Sequence, residues 1–127
     1  MNESSKVVNT FAIIIGAFLL IEGLWGLMSP VVLGMLTTNL PHAIIHIVLG
    51  IIGIVAGWKR RARGFCIFVG ALLLVVGMLR FVPGAGEVIV RILNVNVAVA
   101  WLNIVVGAVA LLIVFAAPKA TAPSGHE

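Results

Sequence analysis

Four long apolar stretches, residues 7–28, 41–58, 64–82 and 95–117, leave this chain little choice but to fold in a lipid bilayer. Each is close to the roughly 17–25 residues that a helix needs to cross a hydrocarbon core. No water is available there to satisfy the backbone, so such stretches are expected to be helices. Composition points the same way. Only 9% of the 127 residues are charged, against about a quarter in a soluble domain. The expectation is an all-α fold: one membrane domain over residues 1–127, a four-helix transmembrane bundle with polar tails at 1–6 and 118–127. The first stretch exceeds the roughly 7–15-residue core of a signal peptide, and no small-residue cleavage site follows at Leu27-Met28-Ser29-Pro30, so it reads as a retained helix.

Lysine and arginine set the orientation. Lys59, Arg60, Arg61 and Arg63 crowd the link between the second and third spans, and Lys6 and Lys119 flank the ends. With four spans these regions share one side, which the positive-inside rule assigns to the cytoplasm. The expected location is the cytoplasmic membrane, multi-pass, with both termini cytoplasmic. The net charge of +4 is then a topology signal, and the bilayer itself is the first partner. Nucleic acid is not expected as a partner, because the basic cluster is four residues long and hugs the membrane. Cys66 is the single cysteine and reads as a buried structural thiol.

The chain also resembles itself. A shift of 57 residues lays 31–57 on 88–114, with identities Asn39/Asn96, Ala43/Ala100, Ile47/Ile104 and Gly50/Gly107 among others. Spans one and three match at a shift of 54 through Gly16/Gly70, Leu20/Leu74 and Gly23/Gly77. Two tandem helical hairpins are expected. Each holds an even number of spans, so the copies are parallel and related by an axis along the membrane normal. Each copy also carries a segment before its second span, 31–39 and 88–96. These are expected to lie along the outer interface, with apolar residues inward and Glu87 and Arg91 outward.

His42, His46, Gly50, Gly53 and Gly57 fall at steps of four, four, three and four, which puts them on one helical stripe. Gly16 and Gly23 mark span one, Gly70 and Gly77 span three, and Gly107 span four. Small residues let membrane helices approach closely, so these glycines are the expected packing seams and both histidines face protein. Glu22 is the one acid inside a span. Counted by helical rise, it lies at a depth similar to His46 and Asn103, with Arg80 within about two turns. Glu22, His42, His46, Arg80 and Asn103 are therefore the candidate polar cluster, since polar groups in hydrocarbon are costly and usually have a reason.

The plainest reading is structural: Asn39 or Thr38 caps span two with Pro41 in its first turn, His42 sits near the headgroups, and the other four satisfy one another. Metal binding by His42 and His46, with Glu22 as a third ligand, is an alternative. His42-Ala43-Ile44-Ile45-His46 lacks the Glu of a metalloprotease helix, however. Proton or small-solute transfer through Glu22 and His46 is a second alternative, although nothing polar continues the path toward the basic link. Both histidines lie on one stripe, so a bis-histidine haem between opposing faces is not expected. No nucleophile–base set and no phosphate loop is present. Trp25 and Trp58 read as interface anchors and Trp101 as a deeper packing residue.

The run from Asn39 through Pro41, His42 and His46 to Gly50 resembles the N-x-x-H-x-x-x-H-x-x-x-G opening of span two in a family of small bacterial four-span membrane proteins of unknown function. Arg60-Arg61-Ala62-Arg63 and the Gly70-bearing third span fit as well. In that family the fourth span often carries an Asp and a His where this chain has Val99 and Asn103. The resemblance implies an envelope membrane protein and supplies no activity. The sequence therefore points to a non-enzymatic integral membrane protein, structural or accessory, without a cofactor, that pairs with a membrane partner or with itself.

Overall fold

The computed structural model describes residues 3–117. In chain order these form α1 (Glu3–Met28), a short hairpin of β1 (Val31–Val32) and β2 (Leu36–Thr37), α2 (Leu40–Trp58), α3 (Ala62–Leu79), α4 (Ala85–Leu93) and α5 (Val97–Ala116). Four helices, α1, α2, α3 and α5, are long and apolar enough to cross a membrane. Their outward faces carry Ile14, Ile21, Ile51, Phe68, Val75, Leu112 and Phe115, all more than 45% exposed. Side chains of that kind in open contact with the surroundings belong in lipid. The protein is an all-α, multi-pass membrane protein.

Helix α1 packs chiefly on α2, and α3 on α5. Both pairs meet through glycine. A Cβ on Gly50 would stand 2.6 Å from the Gly16 carbonyl oxygen and 2.6 Å from the Leu20 nitrogen. A Cβ on Gly107 would stand 2.6 Å from the Gly70 oxygen and 2.7 Å from the Leu74 nitrogen. Further along, Gly23 faces the Ala43 oxygen and the Ile47 nitrogen, while Gly77 faces the Ala100 oxygen and the Ile104 nitrogen. These are the same contacts at the 54- and 57-residue offsets. Apolar burial cannot drive helices together in lipid, so close backbone approach and the dispersion it permits hold each pair.

The two pairs share an apolar core near the link between α2 and α3. Val8, Ala12, Ile15 and Leu19 of α1 meet Leu49 of α2, Phe65, Cys66, Val69 and Leu73 of α3, and Val114 of α5. Polar groups close this end. Asn9 accepts a hydrogen bond from the Ala62 amide (3.3 Å), and Arg63 donates to the Val114 carbonyl (2.9 Å). At the other end Val32 and Leu36 of the hairpin pack with Val95, Val99 and Ala100, and with Ile89 and Leu93 of α4.

The two segments before the second spans take different forms, which the sequence match did not foretell. Val31 and Val32 are β-branched, and Leu33 (φ 57°) and Gly34 (φ 72°) make a left-handed turn closed by Met35 N–H to the Val32 carbonyl (3.2 Å). Two successive left-handed residues are the mark of a tight hairpin turn, and Gly34 supplies one at no steric cost. In the second copy Glu87 accepts from the Gly84 amide (2.6 Å) and starts a helix, which runs without glycine from Glu87 to its left-handed end at Asn94 (φ 52°). Glu87 and Arg91 are exposed, and Gly86, Ile89 and Leu93 face inward to varying degrees.

Helix limits also shift. α3 stops at Leu79 rather than 82, because Val82 precedes Pro83 and that position disfavours helix. α5 starts at Val97 because Asn96 is its cap, accepting from the Val99 amide (2.9 Å). α1 begins at Glu3, so the helix reaches into what the sequence suggested as a polar tail. The expected tail at 118–127 lies outside the described residues. Trp101 is 55% exposed against Phe81 (ring centroids 5.5 Å apart) rather than enclosed, and Trp58 and Trp25 are exposed.

Candidate functional site

A polar lattice spans the end of the bundle where the hairpin and α4 lie. Asn39 caps α2 by accepting from the His42 amide (3.0 Å), and its side-chain amide donates to the Ile92 carbonyl (2.9 Å). Asn96 does the converse: it caps α5 and donates to the Met35 carbonyl (2.9 Å). Residues 39 and 96, and 35 and 92, are 57 apart, so the two bonds are exchanged reciprocally between the halves. Thr37 donates to the Asn94 carbonyl (2.6 Å) and accepts from the Asn96 amide (3.0 Å). Asn94, free to adopt its left-handed turn, donates to the Thr38 carbonyl (2.8 Å). Carbonyls at helix ends and in turns are thereby satisfied by the opposite half.

Beneath this lattice the histidines of α2 form a chain. His42 Nδ1 donates to the Leu93 carbonyl (2.9 Å), a group that can only accept. The two rings stand edge to face (82°), with His42 Nε2 3.0 Å from His46 Nε2. The Nδ1 of His46 faces Glu22 Oε1 of α1 at 3.5 Å, longer than a good hydrogen bond and within ion-pair range. All three residues are buried, at 8% exposure or less. His42 is therefore enclosed rather than open to water: Leu93 and the lattice cover it.

Asn103, on α5, is 5% exposed, and its side chain forms no hydrogen bond among the described residues. It lines a cavity of about 80 Å³ with His42, His46, Leu93 and the apolar Leu49, Leu72, Leu73 and Val76. That is room for more than one water, since one needs roughly 10–15 Å³ of such space. On the other side of the histidines a cleft of about 10 Å³ is bounded by Glu22, Thr37, Thr38, His42, His46 and Val99.

Arg80 is not part of this cluster. It is the C-cap of α3, and its guanidinium turns back to the Val95 carbonyl (2.8 Å), which its long stem reaches at the start of α5. Glu22, His42 and His46 come together, with Asn103 across the cavity. The partner that sequence reasoning missed is the Leu93 carbonyl. No residue type marks a carbonyl as special, and the only signal was the paired Asn39 and Asn96.

Among the described residues no group of three His, Cys, Asp or Glu side chains is arranged to hold one metal ion. Glu22 approaches His46 at Nδ1, whereas His42 approaches it at Nε2, so the three cannot share a first coordination sphere.

No curated protein and no solved structure matches the chain. The family model described as "Domain of unknown function (DUF4383)" matches residues 9–116, which takes in α2 to α5 and most of α1. The chain therefore belongs to the DUF4383 family.

Proposed function

We propose that the protein is a non-enzymatic component of the cytoplasmic membrane, both termini cytoplasmic, that acts as a structural or accessory partner of another membrane protein or of a second copy. The supporting observation is where the polar groups go. The lattice of Thr37, Thr38, Asn39, Asn94 and Asn96 bonds the two hairpins to each other, as suits a structural part. The reciprocal bonds of Asn39 and Asn96, with the matching glycine contacts, support an origin by duplication of one hairpin. The test is crosslinking in intact membranes followed by affinity purification and mass spectrometry. A crosslinked partner or dimer is expected; recovery of monomer alone would remove the accessory role.

A second reading rests on the Glu22–His46–His42 chain, which makes a binding site of the same end of the bundle. It favours binding over transfer. Below His46 the core consists of Leu49, Phe65, Val69, Leu73 and their apolar neighbours, and among the described residues the next buried polar side chain toward the basic link is Asn9, at the link itself.

A further inference from the structure

With Glu22 ionised and His46 neutral, the lone pairs of the two histidines are set against each other. The Leu93 carbonyl fixes the His42 proton on Nδ1, which leaves a lone pair on His42 Nε2. A Glu22 carboxylate likewise draws the His46 proton to Nδ1 and leaves a lone pair on His46 Nε2. Those two lone pairs then face each other across 3.0 Å. Two acceptors at that distance repel unless a proton or a metal ion lies between them.

We propose that His42 Nε2 and His46 Nε2 ligate a single transition-metal ion of the copper–zinc type; this inference rests on the second reading above. Three observations carry it. First, both Nδ1 atoms point at acceptors, a backbone carbonyl and a carboxylate, which is how metal-binding histidines are held in tautomer and orientation. Glu22 is thus a positioning group and not a ligand. Second, the spacing is close to what an ion requires. With metal–nitrogen bonds of about 2.0–2.1 Å, a tetrahedral ion sets its nitrogens roughly 3.3–3.4 Å apart, so the rings need part by only a few tenths of an ångström. Third, the cavity beside the pair has space for further ligands, and Asn103 lines it as a buried amide with no hydrogen bond among the described residues. A water on the ion, held by Asn103, satisfies both.

The ligand chemistry narrows the ion. Neutral imidazoles suit zinc, copper, iron and nickel, and among divalent ions copper and then zinc or nickel bind most tightly. Calcium and magnesium, which want several oxygens, do not fit a pair of nitrogens. The Glu22 carboxylate offsets part of the ion's charge, which matters in a site lined otherwise by leucine, isoleucine and valine.

The test uses full-length protein purified in detergent through a tag without histidine, in a His126→Ala background, since His126 is the one histidine besides these two. Zn²⁺ is titrated by equilibrium dialysis with elemental analysis, and Cu²⁺ by electron paramagnetic resonance. One equivalent per chain is expected, with hyperfine structure from two nitrogens. Binding should be lost in His42→Ala and His46→Ala, and weakened about ten- to a hundredfold in Glu22→Gln, the usual effect of removing an orienting partner. Glu22→Leu should weaken it at least as much. The nitrogen count on unmutated protein stands even where a variant fails to fold. Binding no tighter than that of the His42→Ala, His46→Ala double variant, or a copper signal without two nitrogens, would overturn the proposal. A Glu22 acid that donates to His46, and a His46 that donates to His42, would then account for the chain without a metal. Failure of this test leaves the Glu22–His46 contact to be judged separately, by its energetic coupling in metal-free protein.

Discussion

Replacing Gly16 by alanine should drive α1 and α2 apart, and the structure indicates by how much. The new Cβ would lie 2.7 Å from the Gly50 oxygen and 2.7 Å from the Ile54 nitrogen. Both are backbone atoms and cannot swing aside. Restoring ordinary contact, at about 3.5 Å, takes roughly 0.8 Å of separation, and a gap of that order forfeits about a quarter to a half of each dispersion contact it opens. Overpacking of this kind costs about 1–3 kcal/mol, against a gain of about 0.5–1 kcal/mol from replacing glycine within a helix. The net expected loss is about 1–2 kcal/mol. Gly64 is the internal control: it lies in α3 with nothing within 4 Å of its Cβ position. Gly64→Ala should keep only the helical gain. Gly70→Ala falls between, since it meets Leu111 and Ala110 side chains and the Gly107 oxygen at 3.0–3.1 Å. Unfolding by SDS titration in mixed micelles, followed by far-ultraviolet circular dichroism, ranks the three. If Gly16→Ala were as stable as Gly64→Ala, the seam would not be held by backbone approach and the argument would fail.

In metal-free protein, Glu22→Ala and His46→Ala should each destabilise by about 1–2 kcal/mol, the upper part of the range for hydrogen-bonded pairs between membrane helices. The double variant should lose less than the sum, and additive losses in the same SDS assay would mean that the two do not interact. His42→Ala should cost as much as His46→Ala, because it strands the Leu93 carbonyl under a closed lattice. Asn94→Ala should be worse than Asn94→Gly: both lose the bond to Thr38, but only glycine takes the left-handed turn without strain; equal thermal shifts would contradict this. For orientation, single cysteines at Met35, Arg61 and Ser124 in a Cys66→Ala background should react with an impermeant thiol reagent on whole cells only at Met35. Labelling at Arg61 without lysis would invert the topology.

The four spans were legible because hydrocarbon imposes one rule on length and one on polarity, and every stretch obeys both. The stripe of His42, His46, Gly50, Gly53 and Gly57 was legible for the same reason, since all five are buried on α2. What the sequence hid was anything decided by a turn. Segments 31–39 and 88–96 align residue for residue, yet Gly34 bends one into a hairpin and Glu87 nucleates the other as a helix. That difference brings the Leu93 carbonyl over His42, so the depth estimate for His42 placed it near water when it is enclosed. Arg80 was misplaced by counting turns alone. A long side chain at a helix end takes the nearest acceptor, and here that is Val95.

The lattice also has a consequence in time. Asn39 finds its acceptor in Ile92, 53 residues further along; Thr37 finds its acceptor in the Asn94 carbonyl, and the Thr38 carbonyl its donor in the Asn94 side chain. At a synthesis rate of about 5–20 residues per second, the first hairpin waits roughly 3–10 seconds in the membrane before those partners emerge. Its glycine seam is complete from the start, so it is a formed hairpin with an open polar mouth. During that interval water, the insertion machinery or the mouth of another nascent copy must serve Asn39, Thr38 and His42. The second hairpin meets no such delay, because its partners are already in place when it arrives.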